Sequence, residues 1–362
     1  MTITLFGESH GEGIGCVLDG LPAGIKLDEA FLKHQMSLRR AFKGISTGRN
    51  EEDEVQFVSG IFEGYTTGSP LTIMIKNTDV KSSDYEQLKD IPRPSHADYV
   101  ADVAYEGYQD YRGGGHFSGR LTAPLVAAGA IAMMLLKDKG IVIGSHILEV
   151  NGIKDKAFEG SLEEIDKVKD AYFAVLDDVA GEKMIKAIEA AKEAQDSLGG
   201  IIETEVLNYP IGIGNPTFGA LESELAKAIF AIGGVKGIEF GDGFDLARMK
   251  GSEANDAYQV VDDQVICTTN HNGGINGGIS NGMPIVFKTV IKPTSSIGLT
   301  QQSFNMRTLE ETELSISGRH DPCIVHRARV VIDSLTAWVL CDRLLESKGY
   351  AYFSKGRKEC RE

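Results

Sequence analysis

The sequence lacks the features that would assign this 362-residue chain to several large classes of protein. Its five cysteines form no C-x-x-C pair, so reduced thiols in a reducing compartment are expected rather than a disulfide framework. The formal charge of −15 argues against a general nucleic-acid binder, which needs a basic face. No apolar run approaches the ~20 residues that span a bilayer, and no signal peptide precedes Gly7. The sequence therefore predicts an acidic cytoplasmic protein.

The chain also lacks linkers, repeats and long charge runs, so residues 1–362 are interpreted as a single domain. No G-x-G-x-x-G motif follows a first strand, which gives a Rossmann fold little support. Segments rich in β-branched residues predict strands over residues 55–62, 71–76, 201–207 and 284–291. Apolar periodicity predicts helices over 123–139, 221–232, 334–348 and 181–198, the last closed by Gly199 and Gly200. Strands and helices intermix irregularly, which indicates the α+β class.

Glycine, by contrast, is abundant: 42 of the 362 residues, well above the usual ~7%. Many glycines stand in runs, where the backbone can turn tightly or approach a ligand closely. Planar guanidinium groups suit bidentate binding of carboxylate and phosphate. The candidate anion-binding cations mostly lie beside glycine, proline or serine and are Arg39, Arg40, Arg49, Arg93, Arg112, Arg120, Lys292, Arg319, Arg327 and Arg329. An acidic protein with these residues is expected to concentrate positive potential in one pocket.

Five segments carry acid–base or cationic side chains beside glycine or proline. They are Gly7-Glu8-Ser9-His10-Gly11, Arg93-Pro94-Ser95-His96-Ala97-Asp98, Tyr111-Arg112-Gly113-Gly114-Gly115-His116, Lys292-Pro293-Thr294-Ser295-Ser296 and Gly318-Arg319-His320-Asp321-Pro322-Cys323. Taken together and in this order, they resemble the chorismate synthase family, from about residue 3 to about residue 345. The resemblance implies a single-domain β-α-β-α sandwich that works as a homotetramer.

The resemblance also implies a reaction. Members of the family are lyases of the shikimate pathway, which leads to the aromatic amino acids. They eliminate phosphate in an anti-1,4 sense from 5-enolpyruvylshikimate 3-phosphate and give chorismate. They require reduced FMN, although the reaction has no net redox change. NADPH is one source of the electrons and a separate flavin reductase is another, and the residues leave this choice open. No metal is expected.

The resemblance assigns roles to individual residues. His10 matches the histidine beside the leaving phosphate, and His96 matches the one that protonates the reduced flavin. Asp321 matches the carboxylate that takes a proton from the flavin, with Ser9 and Ser118 as relay hydroxyls, and Arg319 is expected to keep Asp321 ionised. The expected substrate contacts are Arg39, Arg40, Arg49, Arg93, Arg120 and Arg327. The expected FMN contacts are His116, Phe117, Ser118, Gly233, Gly234, Gly277, Lys292, Pro293, Thr294, Ser295, Ser296 and Arg319.

Two departures from the family pattern leave alternatives open. The commoner sequence after the triple glycine is Arg-Ser-Ser-Ala-Arg-Glu-Thr, whereas this chain has His116-Phe117-Ser118-Gly119-Arg120-Leu121-Thr122. Few residues precede Gly7, which is expected to shorten the first strand and to loosen Ser9 and His10. A flavin- or anion-binding relative without turnover is therefore an alternative. A metal-dependent hydrolase has little support, because the sequence has no H-E-x-x-H motif and no Cys/His ligand spacing. Either Lys43 or Arg49 is the basic residue of the 41–49 loop that faces the substrate.

Overall fold

The computed structural model describes residues 1–41, 44–46, 52–78, 88–316 and 321–353. Lys43, Arg49 and Arg319 therefore lie outside the described residues. The α-helices are α1 (Glu29–Leu38), α2 (Asp98–Ala104), α3 (Thr122–Lys137), α4 (Leu162–Val168), α5 (Asp178–Glu193), α6 (Leu221–Ile229), α7 (Gly251–Ala254) and α8 (Val325–Lys348). The strands are β1 (Thr2–Gly7), β2 (Gly13–Asp19), β3 (Gln56–Ser59), β4 (Ile61–Phe62), β5 (Tyr65–Thr66), β6 (Leu71–Lys76), β7 (Val142–Val150), β8 (Ile153–Lys154), β9 (Gly200–Leu207), β10 (Val235–Phe240), β11 (Tyr258–Val261), β12 (Gln264–Cys267), β13 (Ile275–Asn276), β14 (Ile279–Ser280), β15 (Ile285–Ile291), β16 (Gln301–Phe304) and β17 (Glu311–Leu314).

Two antiparallel sheets and the helices between them form the body. The first sheet has the order β1-β2-β6-β3, and the second has the order β10-β15-β9-β7-β8. Helices α3 and α8 cross so closely that a Cβ on Gly129 would lie 2.2 Å from that of Ser334. Side chains of β7 alternate between the two faces of the second sheet: Ser145 contacts Asp333 of α8, and Gly144 faces Ile165 of α4. The layers therefore follow the order sheet, helices, sheet, helix, and the predicted α+β class is confirmed.

Several predicted element boundaries need correction. The predicted strand over residues 55–62 divides into β3 and β4 at Gly60, which has a left-handed φ of 85°. The predicted helix over residues 181–198 ends at Glu193, and Gly200 begins β9 instead of closing that helix. Helix α8 starts at Val325, well before residue 334, because its first turns bury polar side chains that break the apolar pattern.

The first strand is not loosened. Strand β1 pairs with β2 along its whole length, from Thr2 opposite Asp19 to Gly7 opposite Ile14. Ser9, two residues beyond it, is completely buried. The expected loosening of Ser9 and His10 is therefore not observed in the described structure.

The segment Arg112–Lys137 is long and apolar enough to cross a membrane by length and composition. However, 83% of its 18-residue apolar window is buried inside the protein. Its regular part, α3, has only 16 residues, compared with the ~20 that a bilayer needs. The segment is a core helix preceded by an irregular glycine turn.

Candidate functional site

The triple glycine lies between the two predicted catalytic histidines. Residues 113–115 have φ values of 60°, 81° and 53°, a region that favours glycine. A Cβ on Gly113 would lie 2.2 Å from Nδ1 of His10, and a Cβ on Gly114 would lie 3.4 Å from Cε1 of His96. Only glycine therefore lets the backbone pass between both rings without displacing His10.

Ser9 and His10 are held against this turn. The amide of Ser9 donates to the carbonyl of Gly115 at 3.1 Å, and His10 is buried beside it. The buried Oγ of Ser9 has no hydrogen-bond partner among the residues that the structure describes. Nearby, Arg112 donates from Nε and Nη2 to Asp110, both at 2.8 Å, and thereby lowers the pKa of that carboxyl group. A buried hydroxyl without a partner is the kind of group that a ligand satisfies.

His96 belongs to a compact cluster with Arg93 and Asp98. Nδ1 of His96 lies 2.7 Å from Oδ1 of Asp98, and Arg93 donates from Nε to Oδ2 of the same carboxylate at 2.7 Å. Burial by itself would raise the pKa of Asp98, but the hydrogen bonds and charges of Arg93 and His96 hold it well below its usual value. The carboxylate is therefore ionised. Arg93 also donates from Nη1 to Oγ of Ser296 at 3.0 Å, which connects the cluster to the predicted cofactor segment.

The predicted cofactor segment 292–296 follows β15 and folds back over Ser95. Nζ of Lys292 donates to the carbonyl of Ser95 at 3.0 Å and to Oγ of Ser295 at 2.9 Å. Thr294 donates from Oγ1 to the backbone carbonyl of Asp321 at 2.9 Å. Burial and the neighbouring Lys236 lower the pKa of Lys292. Together with the Arg93–Ser296 contact, this segment joins the His96 cluster to Asp321.

Two buried arginines, Arg39 and Arg120, share the carboxylate of Asp53. Arg39 donates from Nη2 to Asp53 at 2.5 Å, and Arg120 donates to the other carboxylate oxygen. Arg120 also donates from Nε to Oδ1 of Asn77 at 3.1 Å, and Nδ2 of Asn77 donates to the carbonyl of Gly11 at 2.9 Å. This cluster is therefore linked to the segment that carries Ser9 and His10.

Asp321 is paired with Arg327, and this pair links the clusters described above. Together they are called the ring, which consists of Ser9, His10, Arg39, Asp53, Arg93, His96, Asp98, Asp110, Arg112, Arg120, residues 292–296, Asp321 and Arg327. Nη1 of Arg327 donates to Oδ2 of Asp321 at 2.7 Å, and its Nε donates to the carbonyl of Arg39 at 2.9 Å. Burial lowers the pKa of Arg327, and the charge of Asp321 offsets part of this effect. The expected partner of Asp321, Arg319, lies outside the described residues. Among the described residues, Arg327 is the cation that pairs with Asp321.

Other predicted residues make local contacts. Nδ1 of His116 lies 3.0 Å from the carbonyl of Gly7, and Phe117 is 44% exposed. Oγ of Ser118 accepts from the amide of Arg120 at 3.3 Å, so it caps a turn in this structure. Arg40 donates to the carbonyl of Glu52 at 2.7 Å.

Of the remaining predicted residues, the glycines lie beside the cofactor segment or border open space, whereas Arg329 is buried. The carbonyl of Gly234 accepts from the amide of Lys292 at 2.8 Å, which places that turn beside the cofactor segment. A Cβ on Gly233 or Gly277 would meet no atom within 4 Å, so both glycines border open space. Arg329 is fully buried and donates to the carbonyls of Lys169 and Ala171. Its listing among anion-binding candidates is therefore wrong, because it is a structural residue of α8.

Sequence reasoning missed three carboxylates that hold the predicted cations. Asp53, Asp98 and Asp110 each hold at least one predicted cation, and of these only Asp98 lies within a recognised motif. It also missed His326, whose Nε2 lies 2.7 Å from Oγ of Ser46 and whose pKa is lowered to about 4 by burial. A left-handed residue at Asp53, with φ of 52°, is a signal of strain that only the structure reveals.

Histidines, ionised aspartates and fixed guanidinium groups thus meet around one glycine turn. Within the described ranges, no group of three or more histidine, cysteine or acidic residues is arranged to hold a metal ion. The fold and the ring define an enzyme site for acid–base chemistry on anionic compounds.

Comparison with known proteins identifies the family. The sequence model of chorismate synthase matches residues 1–345. A chorismate synthase from Pyrococcus abyssi is 46% identical over 345 residues, which cover 95% of this chain and 96% of that protein. One from Methanosarcina mazei is 44% identical over 348 residues, covering 95% and 94%. A crystal structure of chorismate synthase superposes with a TM-score of 0.74 at 29% identity, covering 96% of this chain and 92% of that one. The chain therefore belongs to the chorismate synthase family, whose members are lyases that form chorismate in the shikimate pathway.

Proposed function

We propose that this chain eliminates phosphate from 5-enolpyruvylshikimate 3-phosphate in an anti-1,4 sense, with reduced FMN bound beside the substrate. The observation that supports this most directly is the triple-glycine turn, which has His10 on one side and His96 on the other. The ring of arginines around it provides planar donors for the carboxylates and the phosphate of such a substrate. The reaction needs two proton-handling groups near two ligands, and these histidines provide them.

The residues present fit a phosphorylated flavin. Lys292, Ser295 and Ser296 offer an ammonium group and hydroxyls next to Arg93, a donor set suited to phosphate. Oγ of Ser9, which has no hydrogen-bond partner in the described part of the chain, offers a further polar contact within the ring. Reduced FMN would supply electron density to the substrate ring as the phosphate leaves.

The chain's own residues bind the substrate and handle its protons. Arg39 and Arg120 are held by Asp53 and so present fixed positive charge without reorganisation when the anion binds. His10 would hold a proton for the departing phosphate, because histidine exchanges a proton near neutral pH. Asp321, which is paired with Arg327, would accept a proton as the base.

We infer further that the chain functions as one domain in a cytoplasmic homotetramer. The electrons would come from a separate flavin reductase, because the sequence has no dinucleotide fingerprint. NADPH would then act on the reductase and not on this chain.

Turnover without oxygen, with photoreduced FMN, tests the proposal. Phosphate and chorismate should appear in equal amounts while FMN is not consumed, and oxidised FMN should bind without turnover. Phosphate release with flavin omitted would overturn the proposal. Binding of both ligands without turnover would favour the alternative of an inactive relative. Rapid aerobic turnover with NADPH alone would contradict a separate reductase.

A further inference from the structure

The carboxylate of Asp98, at the start of α2, has both oxygens occupied. Oδ2 accepts from Nε of Arg93 at 2.7 Å and from its backbone amide at 3.0 Å. Oδ1 accepts from Nη2 of Arg93 at 2.8 Å and lies 2.7 Å from Nδ1 of His96. Three contacts with one arginine fix the carboxylate in place, and the fourth is directed at the imidazole ring.

The contact with His96 has one consistent assignment of protons. An ionised carboxylate only accepts hydrogen bonds, and a guanidinium group only donates them. Nη2 of Arg93 lies 3.0 Å from Nδ1 of His96, so a lone pair on Nδ1 could accept from Arg93 instead. That arrangement would place the lone pair against the Asp98 oxygen at 2.7 Å, which is repulsive. The shorter distance and the charge of Asp98 therefore require a proton on Nδ1.

We propose that Asp98 is a positioning residue that fixes His96 in the Nδ1–H tautomer and so makes Nε2 the atom that exchanges a proton during the reaction. The inference rests on the proposed function, in which His96 works at the flavin. The Cε1–Nε2 edge of the ring faces Gly114, where a Cβ would lie 3.6 Å from Nε2. The imidazole of His96 thus presents Nε2 toward the glycine turn.

The charges around His96 indicate that Asp98 determines which ring nitrogen carries the proton. Arg93 contacts the ring, and the ammonium group of Lys292 lies on the carbonyl of Ser95, the preceding residue. Both groups are cations. Among the hydrogen-bonding partners of His96 in the described part of the chain, Asp98 alone is anionic. Without its charge, Nδ1 would no longer be the preferred position of the proton.

The tautomer can be measured directly in the full chain without flavin. Long-range ¹H–¹⁵N correlation spectra of protein labelled with ¹⁵N-histidine distinguish protonated from unprotonated ring nitrogens, and His96→Gln assigns the signals. At pH 8 we expect the Nδ1–H form in the unmodified chain, and a shift toward the Nε2–H form in Asp98→Asn. Asp102→Asn is the matched control: Asp102 lies one turn later on α2 and is also paired with an arginine, Arg307, at 2.7 Å. It should leave the His96 signals unchanged.

Kinetics provide the second measurement. Asp98→Asn should lower kcat by about 100-fold, the lower end for the loss of a general acid–base group. Asp98→Glu should restore part of that loss, since it restores the charge. A change confined to KM would indicate that the variant only displaces Arg93, and would overturn the proposal.

The spectra also separate the two hypotheses. A predominant Nε2–H form in the unmodified chain, or an unaltered tautomer in Asp98→Asn, would overturn the role of Asp98. The expected tautomer in an enzyme without flavin-dependent turnover would overturn the proposed function and support the Asp98–His96 pairing.

Discussion

Arg39 and Arg120 bind opposite oxygens of a single carboxylate, that of Asp53. All three side chains are almost completely buried. Burial would raise the pKa of Asp53, but the two guanidinium groups lower it below its usual value. One negative charge against two positive charges leaves a net positive charge in the cluster. Asp53 therefore both holds the arginines and sets the charge that they offer to an anion.

Asp53→Asn should destabilise the protein by about 3–5 kcal/mol, because it leaves buried arginines without their counter-charge. Urea unfolding at one fixed protein concentration measures the change. Asp245→Asn is the control, since Asp245 and its partner Arg248 are 77% and 75% exposed and such pairs contribute little. Equal losses in the two variants would contradict a structural role for the shared carboxylate.

Gly113→Ala should abolish most of the activity. Its Cβ would lie 2.2 Å from the ring of His10, and alanine is strained at a φ of 60°. Gly119→Ala is the matched control, because a Cβ there meets no atom within 4 Å and the backbone is not left-handed. Steady-state turnover of the two proteins, with circular dichroism to check their folding, gives the comparison. Full activity in Gly113→Ala would show that the turn does not position His10.

Glu205→Gln should stabilise the protein at high pH. Burial, followed by the charges of Glu164 and Glu203, raises the pKa of Glu205 to about 7 from 4.5, while His146 opposes the shift. The folded state therefore keeps a proton that the unfolded state loses. The stability that this proton contributes is complete below about pH 4.5 and is lost as the pH rises through 7.

The neutral amide of the Glu205→Gln variant avoids that loss. We expect a gain of about 3 kcal/mol at pH 8 and little change at pH 4, because the pKa rises from 4.5 to about 7 and each pKa unit corresponds to about 1.4 kcal/mol. Glu163→Gln, on the exposed surface nearby, should show no such pH dependence. Chemical denaturation at both pH values is the measurement, and a loss of stability at pH 8 would refute the prediction.

Asp321→Asn should separate chemistry from binding. The amide keeps the size and polarity of the carboxyl group but cannot act as a base. Arg327 remains anchored by its bond to the carbonyl of Arg39. We expect kcat to fall at least ~100-fold, with little change in the dissociation constants of substrate and FMN, since the lost interaction serves the chemical step. Near-normal turnover would remove Asp321 from the mechanism, and a collapse of FMN binding would make it a structural residue.

The sequence was most informative where local pattern decides structure. Helix α3 was predictable because it is apolar on nearly all sides and is followed by Gly140, which has a left-handed φ of 75°. The beginning of α8 was not, because Arg329 and Asp333 are polar yet buried. They pair with each other at 3.3 Å, but their further partners, Ala171 and Ser145, are remote in sequence. A periodicity argument reads such residues as surface and places the helix too late.

In the candidate site, too, local sequence patterns were predictable and contacts between remote segments were not. The motifs identified His10, His96 and the arginines, because each carries unusual residues at close spacing. They could not show that Asp53 pairs with Arg39 and Arg120, which lie 14 and 67 residues away. Such pairing is decided by tertiary structure. The motifs therefore located the cations without their counter-charges, since each described arginine of the ring is paired with an aspartate.

The bond from Arg327 to the carbonyl of Arg39 spans 288 residues of chain. During synthesis, the amino-terminal side of the ring leaves the ribosome long before α8 does. Until α8 docks against α3, Arg327 cannot pair with Asp321, and the face of α3 around Gly129 lacks the neighbour that covers it in the folded protein. A chain that ends before residue 321 would therefore lack the Asp321–Arg327 pair and would leave exposed the face of α3 that packs against α8.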